Sequence, residues 1–284
     1  MAVWCTSHLM ALISIIIPNY NYGRFADRFY GSLAGQTMSL KDVEIIFVDD
    51  GSSDDSLEQA RKWAAKLACR SFEILTPPRT GRPGPVRNTG LAKAAGKYLL
   101  SLDPDDELLP EFLETHVDVL ESNPKFSVSY SDYLETTPDK SFNRFLPDFN
   151  PVQLRTQNTV APCALYRREL WDTGVRYREN TTYEDWDYWV QCLMAGGKFK
   201  HIAQPLYIHH IHESNFSHQA EKEDGAGKAY IVLNNPGFFN PAVVQWAQDY
   251  FRRRVHAPSF QRGYIPTADE LLKLSDVIRA AGCK

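Results

Sequence analysis

The sequence lacks the features that define several large classes of protein. No apolar stretch approaches the length of about 18 residues that a membrane-spanning helix needs, and Met1 to Met10 lacks the basic and apolar regions of a secretory signal. The five cysteines are scattered and show no C-x-x-C spacing, which is typical of reduced cytosolic thiols. We therefore expect a cytoplasmic protein with no transmembrane segment. Because Met10 lies just before the first predicted strand, the first nine residues are either an extension or a misassigned start.

The sequence also lacks a strong excess of charge and two familiar nucleotide-binding loops. A net charge of -4 without a basic face argues against a nucleic-acid partner. The short run Arg252 to Arg254 indicates a solvated helix face, with peripheral contact to an anionic inner membrane surface as the alternative. Neither G-x-G-x-x-G nor G-x-x-x-x-G-K-[ST] occurs, which excludes a Rossmann-type dehydrogenase. A nucleotide would have to bind through side chains.

What the chain does have is an ordinary globular composition, with 43% hydrophobic and 23% charged residues. Apolar, β-branched runs alternate with helical patterns through the first half, which predicts a βαβ sheet with right-handed crossovers. The predicted strands are 12–17, 43–48, 72–75 and 97–102, and the predicted helices are 24–35, 86–95 and 108–120. Ligands of such sheets bind at the carboxyl ends of the strands.

Three carboxylates, Asp103, Asp105 and Asp106, follow the fourth predicted strand. Anions this close repel one another, so their arrangement is stable only if a cation or hydrogen-bond donors compensate them. The cluster suggests a metal site, and a solvated loop with an Asp helix cap is the alternative.

The ends of the first two strands carry further polar side chains. Tyr20 offers an aromatic face to a nucleotide base or packs within its own loop. Asp49-Asp50-Gly51 either accepts hydrogen bonds from a base or ribose, or forms a turn with a helix cap at Ser52 or Ser53. Arg87, early in the third helix, could clamp a diphosphate or pair with a strand-end aspartate.

The second half has a different pattern. It predicts strands at 126–130 and 159–166, a long loop at 136–157 and a short helix at 167–171. Trp186 and Trp189 belong to the apolar stripe of a further helix, with Glu184 and Asp185 at its N-terminus. These two acids either cap the helix or provide a base that the helix dipole keeps ionised.

A histidine-rich stretch, 205–217, follows another predicted strand. In an extended chain His209 and His210 point to opposite sides, whereas His210 and His212 share one. The stretch is either polar surface or a source of metal ligands.

Taken together, these pieces resemble the family 2 glycosyltransferases of the GT-A fold. The resemblance runs from about Leu12 to Ser217 and consists of six motifs in the family's order. They are P-x-Y-N (Pro18, Tyr20, Asn21), V-D-D-G-S-x-D (Val48 to Asp54, with one extra Ser), R-N-x-G (Arg87, Asn88, Gly90), L-D-x-D-D (Leu102 to Asp106), E-D-x-D-x-W (Glu184 to Trp189) and P-L-Y-x-x-x-x-H-x-x-x-x-S (Pro205 to Ser217).

The resemblance implies a Rossmann-like mixed α/β sheet flanked by helices and an inverting transfer from a nucleotide-sugar donor, usually UDP-linked, to an acceptor hydroxyl. It also implies a role for each matching residue. Pro18, Tyr20 and Asp50 would hold the base, Arg87 would contact the nucleotide, Asp103 would lie against the ribose and metal, Asp105 would ligate Mn²⁺ or Mg²⁺, His212 would be a further ligand, and Asp185 would be the catalytic base. The acceptor would be a glycan, a lipid-linked sugar or a protein.

The sequence departs from the family pattern at two places. Gln191 replaces an Arg commonly found a turn after the E-D pair, and His209-His210 replaces a Tyr-Arg pair. Beyond Ser217 the resemblance ends, and three predicted helices (220–233, 241–254 and 267–281) form a C-terminal helical extension. We expect a catalytic domain over 1–217 and the extension over 218–284.

Two other functions compete with this interpretation. A nucleotide-sugar binding protein without turnover would need the strand-end motifs but not Asp185. A nucleotidyltransferase would need a glycine-rich basic loop after the first strand, and Pro18 to Arg24 does not provide one.

Overall fold

The computed structural model describes residues 12–213, 215 and 221–280. Predictions that fall on Met1 to Met10, Ser217 or Ala220 lie outside the described residues. The strands are β1 (Ile13–Asn19), β2 (Val43–Asp49), β3 (Ser71–Leu75), β4 (Tyr98–Ser101), β5 (Glu107–Leu108), β6 (Val128–Thr136), β7 (Ser141–Arg144), β8 (Ala164–Arg167) and β9 (Phe199–His210). The helices are α1 (Ala26–Ala34), α2 (Ser56–Ala64), α3 (Pro83–Leu91), α4 (Phe112–Ser122), α5 (Arg168–Asp172), α6 (Glu184–Met194), α7 (Asp224–Asn234), α8 (Pro241–Phe251) and α9 (Ala268–Ala280).

In the part of the chain that the structure describes, nine strands form one mixed sheet in the order β3-β2-β1-β4-β8-β6-β9-β5, with β7 paired to β6. The first four strands run parallel, as the βαβ pattern predicts. β8 joins the two halves by pairing antiparallel with both β4 and β6. The predicted mixed α/β architecture is confirmed, and the carboxyl ends of β1, β2 and β4 lie at one edge.

The centre of the sheet is fully buried. Every residue of β1 is buried, which explains its nearly unbroken β-branched sequence. α3 approaches this strand closely at Gly90, where a Cβ would lie 2.5 Å from the Ile16 Cγ2 atom. This contact fixes α3, and with it Arg87, beside the end of β1.

Three local predictions are wrong. Residues predicted to begin a helix at 108 instead form β5, because Leu108 pairs with Tyr207 of the distant strand β9. The predicted loop at 136–157 contains β7 and a short 3₁₀ helix (Gln153–Arg155). Neither Ser52 nor Ser53 caps a helix, since α2 begins at Ser56 and its amide N–H donates to the Asp54 carboxylate over 3.0 Å.

The C-terminal helices pack against the start of α6. The fully buried Asp187 carboxylate accepts hydrogen bonds from Arg178 over 3.0 Å and from Asn235, at the end of α7, over 2.7 Å. The predicted division between 217 and 218 stays a prediction. Within 12–213, 215 and 221–280, every helix is too short or too polar to span a bilayer.

Candidate active site

An open cavity of about 700 Å³ lies at the carboxyl edge of the parallel strands. Its walls come from the loops after β1, β2, β3 and β4, from α3, and from the start of α6. Seven of the eight predicted site residues line it, namely Pro18, Tyr20, Asp50, Arg87, Asp103, Asp105 and Asp185. The eighth, His212, lies against Asp105, with 3.0 Å between the His212 Nε2 and Asp105 Oδ2 atoms. The fold therefore brings the predicted set together.

One end of the cavity is built around Asp50. This buried carboxylate accepts hydrogen bonds from the Thr80 amide over 2.6 Å, from the Thr80 hydroxyl over 3.0 Å and from the Gly81 amide over 2.7 Å. Asp50 thus holds the loop after β3 against the end of β2. The Arg79 guanidinium lies 4.2 Å from the centre of the Tyr20 ring, so one face of that ring is already covered by the same loop.

The neighbouring Asp49 has a structural role. Its carboxylate accepts hydrogen bonds from the Asn19 amide over 2.9 Å and from the Ser52 hydroxyl over 2.6 Å. These contacts tie the ends of β1 and β2 together. Asn21, which has a positive φ of 58°, uses its side-chain oxygen to accept from the Ser53 amide over 2.8 Å. The strand-end loops are therefore fixed to each other.

Arg87 forms a buried bridge between two sides of the cavity. Its guanidinium donates to both oxygens of Asp103, over 2.7 and 3.0 Å, and to Glu184 over 2.8 Å. Burial disfavours the charged guanidinium, but Asp103 and Glu184 raise the pKa of Arg87 well above its usual range. Of the two roles that the sequence leaves open, pairing with a strand-end aspartate is the one present. Through these two partners, Arg87 also connects the end of β4 to α6.

The carboxylates after β4 are compensated by histidines from the end of β9. Each of three consecutive acids has its own imidazole partner. The pairs are Asp105 with His212 at 3.0 Å, Asp106 with His209 at 3.0 Å and Glu107 with His210 at 2.7 Å. This arrangement offsets the repulsion expected from the sequence, because each of these acids has an imidazole as a hydrogen-bond donor.

Of the three acids Asp106 is the most buried, and burial raises the pKa of Asp106 to about 6. Burial opposes the charged imidazolium, yet the Asp106 carboxylate raises the pKa of His209 to about 9. Each group of the pair thus favours the charged form of the other. His209 also lines the cavity, where the family pattern commonly has a Tyr.

Asp105 and His212 are the groups best suited to hold a divalent cation. A carboxylate oxygen and an imidazole nitrogen converge at 3.0 Å, and Asn215 also donates to Asp105 over 3.2 Å. This oxygen and nitrogen donor set fits Mn²⁺ or Mg²⁺ when phosphate oxygens supply the remaining ligands. Among residues 12–213, 215 and 221–280 no group of three or more Asp, Glu, His or Cys side chains is placed to hold a metal ion by itself, so a cation would depend on the bound nucleotide for coordination.

Asp185 lies at the start of α6 with its carboxylate at the cavity wall. One oxygen accepts from the Trp186 amide over 2.8 Å, and the other accepts from the Asn158 side chain over 2.9 Å. The sequence predicts that the helix dipole keeps this group ionised, and the structure adds the effect of burial, which acts in the opposite direction. Burial raises the pKa of Asp185, although the Trp186 amide and Arg87 oppose the rise. A carboxylate with a raised pKa is a stronger base.

Glu184 does not cap α6, since no side chain caps this helix and Glu184 pairs with Arg87 instead. Burial raises the pKa of Glu184 to about 7 while Arg87 lowers it. Two carboxylates that line the cavity therefore stand side by side, and Glu184 is the one paired with a guanidinium.

Sequence reasoning missed several cavity residues because no local pattern marks them. Arg79, Thr182, Asn215 and Arg262 come from loops in four different parts of the chain, and three of them line the cavity from beyond the sheet's parallel half. Asn158, which contacts Asp185, follows the predicted long loop by one residue and carries no signal of its own. Only the fold reveals these contacts.

Comparison with known proteins gives the family. The model of glycosyl transferase family 2 matches residues 14–174, which is more than half of the chain. Among curated relatives, the poly(ribitol-phosphate) beta-N-acetylglucosaminyltransferase TarS of Staphylococcus aureus is 30% identical over 210 residues, covering 70% of this chain and 35% of TarS. The chain thus spans about a third of the length of that relative.

Solved structures share the fold. A crystal structure of S. aureus TarS in complex with UDP-GlcNAc has a TM-score of 0.65 at 21% identity and covers 78% of this chain and 67% of that chain. The mannosyltransferase PcManGT from Pyrobaculum calidifontis, in complex with GDP-Man and Mn²⁺, has a TM-score of 0.64 at 15% identity and covers 98% and 77%. The GT-A type fold predicted from the motifs is confirmed, and the chain belongs to glycosyl transferase family 2.

Proposed function

We propose that the chain is an inverting, metal-assisted glycosyltransferase that moves a sugar from a UDP-linked donor to an acceptor hydroxyl. The observation that carries the proposal is that one cavity is lined by Asp105, whose carboxylate pairs with His212, and, from another wall, by the Asp185 carboxylate. A non-catalytic nucleotide-sugar binding protein would have no use for the second feature. The names of the relatives support a nucleotide-sugar donor, since one is described with UDP-GlcNAc and one with GDP-Man.

The donor would lie along the strand ends. Pro18, Tyr20 and Asp50 line the end proposed to hold the base, and Asp103 and Asp105 line the same cavity. Arg87 would act on the nucleotide through Asp103, whose carboxylate it holds in place. When bound, a divalent cation held by Asp105 and His212 would neutralise charge on the diphosphate leaving group.

Asp185 is proposed to take the acceptor proton. As the acceptor oxygen bonds to the anomeric carbon, the bond from that carbon to the diphosphate oxygen breaks, and the proton moves to the Asp185 carboxylate. Displacement from the opposite face inverts the anomeric configuration. The acceptor would be a glycan, a lipid-linked sugar or a protein. The proposed location is the cytoplasm, either free or at the inner membrane surface.

Donor binding is tested by calorimetry with UDP in the presence of Mn²⁺ or a chelator. UDP should bind more tightly with Mn²⁺, because a cation held by Asp105 and His212 would offset the negative charge of the diphosphate. Asp105→Ala should erase that difference and leave the circular dichroism spectrum unchanged. Equal affinity with and without metal in the wild-type protein would contradict the metal-assisted part of the proposal.

Turnover is tested with Asp185→Asn, which keeps the shape of the side chain but cannot accept the proton. Release of UDP from a nucleotide-sugar donor should fall by roughly 10²-fold or more, the usual scale for a lost general base, while UDP affinity barely changes. Glu184→Gln, the adjacent change, should do less because that carboxylate is already paired with Arg87. A folded Asp185→Asn protein with wild-type turnover would place the base elsewhere. Absence of turnover in the wild-type protein, despite tight donor binding, would favour the binding-protein alternative.

A further inference from the structure

The Asn158 side chain contacts the oxygen of the proposed base that α6 leaves open. Its Nδ2 donates to Asp185 Oδ2 over 2.9 Å, and its own Oδ1 accepts from the Val160 amide over 3.2 Å. The second contact fixes which end of the amide faces Asp185, because a flipped amide would bring two oxygens together and two donors together. With Trp186 holding Asp185 Oδ1 over 2.8 Å, each carboxylate oxygen has one fixed donor.

We propose that Asn158 is a positioning residue for Asp185, which holds the plane of the carboxylate and stabilises its ionised form for attack by the acceptor. The inference rests on the proposed function, in which Asp185 is the base. Each oxygen of an ionised carboxylate has room for a second hydrogen bond, so the acceptor hydroxyl can still approach. A donor to a carboxylate favours the charged form and so limits the rise that burial causes.

The segment that leads into Asn158 is anchored by two contacts, which restrain the position of its amide. Trp186, next to Asp185, donates from its indole Nε1 to the Leu154 carbonyl over 2.8 Å. Two residues later, the Ile265 amide donates to the Thr156 carbonyl over 2.8 Å. The base and its partner are thus joined twice, once by the carboxylate and once through the tryptophan. A side chain placed by packed neighbours keeps its geometry through a catalytic cycle.

Other groups near Asp185 set the background against which Asn158 acts. From the same helix Glu184 lies beside it, from α3 comes the Arg87 guanidinium, and from the loop after β4 comes Asp103. The charge of Asp185 also helps to raise the pKa of three phenols, which belong to Tyr133 of β6, Tyr177 before α6 and Tyr207 of β9. A change at Asn158 leaves all of these in place, so a shift in the titration of Asp185 would report the lost hydrogen bond.

The direct test titrates Asp185 in the free protein by NMR with carboxyl-¹³C aspartate, the Asp185 signal being the one that Asp185→Asn removes. Asn158→Ala should raise the pKa of Asp185 by about one to two units, since a hydrogen bond to a charged group is typically worth that much. Asn158→Asp keeps the acceptor for Val160 but sets a second carboxylate 2.9 Å from Asp185. The two carboxylates then titrate together, and the higher of their two pKa values should exceed that of Asp185 in Asn158→Ala.

The chain offers a matched control at Asn150. Its Oδ1 accepts from the Val152 amide over 2.8 Å, the same local turn that Asn158 makes with Val160, but Asn150 is exposed to solvent. Asn150→Asp should leave the Asp185 titration unchanged. If Asn158→Ala leaves it unchanged as well, the inference is overturned. If Asn150→Asp shifts it as much as Asn158→Asp, the effect is a long-range one of added charge and the inference is also overturned.

A kinetic measurement uses hydrolysis of UDP-N-acetylglucosamine with water as acceptor. The acid limb of the kcat profile should move to higher pH in Asn158→Ala, by the same shift as in the NMR titration, with the donor KM unchanged. A donor KM that changes while the acid limb stays in place would overturn the inference and indicate a merely structural role. The proposed role of Asp185 as the base fails by a different result, which is wild-type turnover by Asp185→Asn. In that case the NMR titration still shows whether Asn158 lowers the pKa of this carboxylate.

Discussion

The buried Lys228 offers the sharpest test of how the C-terminal helices are held. Lys228 lies in α7 and has no exposed surface. Its ammonium group donates to the Asp224 carboxylate over 2.6 Å and to the Ser259 and Gln261 carbonyls over 2.6 and 2.7 Å. All three of its donors are therefore used, and they fasten the segment before α9 to α7.

Lys228→Met keeps most of the apolar stem and removes all three donors. Breaking a buried ion pair by removing one partner typically costs about 3–5 kcal/mol, because the remaining charge is left uncompensated. The Asp224 carboxylate keeps two contacts, from the Tyr183 hydroxyl over 2.7 Å and from the Gly263 amide over 2.8 Å. We therefore expect the lower end of the range, a loss of about 3 kcal/mol in the free energy of unfolding.

Equilibrium unfolding in urea, followed by tryptophan fluorescence and circular dichroism, measures the loss. Lys222→Met, a change at an exposed lysine six residues earlier, should stay within about 0.5 kcal/mol of the wild type. Adding Asp224→Asn to Lys228→Met should recover about 1 kcal/mol or more, because the uncompensated charge is gone. A Lys228→Met protein as stable as the Lys222→Met control would refute this account of the buried lysine.

Three further predictions concern the core and the metal site. Gly90→Ala should destabilise the fold by about 1–3 kcal/mol because its Cβ would collide with β1, whereas Gly31→Ala, in a helix with open space around it, should stabilise slightly; thermal unfolding compares the two. Burial lowers the pKa of His116 to about 3, below the unfolded value of 6.5, so acidification protonates the unfolded chain first and the free energy of unfolding falls. In urea titrations the fall between pH 6 and 4.5 should be smaller by about 2 kcal/mol in His116→Gln. His212→Ala should weaken Mn²⁺-supported UDP binding more than His209→Ala, and equal effects in calorimetry would contradict a ligand role for His212.

The parallel half of the fold is predictable because its signals are local. β1, β2 and β4 are short apolar runs, and the rule that ligands bind at strand ends is enough to place Asp50 and Asp103 at one edge. The sequence leaves two roles open for Arg87, since a guanidinium suits a phosphate and a carboxylate equally well. Only the positions of Asp103 and Glu184 show which partners it has.

The rest depends on contacts between residues far apart in the chain. β5 has the sequence pattern of a helix start, because its two residues are strand only through β9. The effect of burial on Asp185 is not visible in the sequence, which shows a helix terminus but not how deeply the carboxylate is placed. The histidine partners of Asp105 and Asp106 lie more than a hundred residues later, so their pairing is visible only in three dimensions.

The histidine pairs bear on where this protein can be cut or fused. The family match ends at residue 174, yet the imidazoles that balance Asp105, Asp106 and Glu107 belong to β9 and the residues after it. A shortened chain that stops at the family boundary would carry those acids without their partners and would leave β6 without its parallel neighbour. The smallest part of this fold that can be transplanted is therefore longer than the family match. A chimaera joined at residue 174 would need a strand equivalent to β9 from the other parent protein.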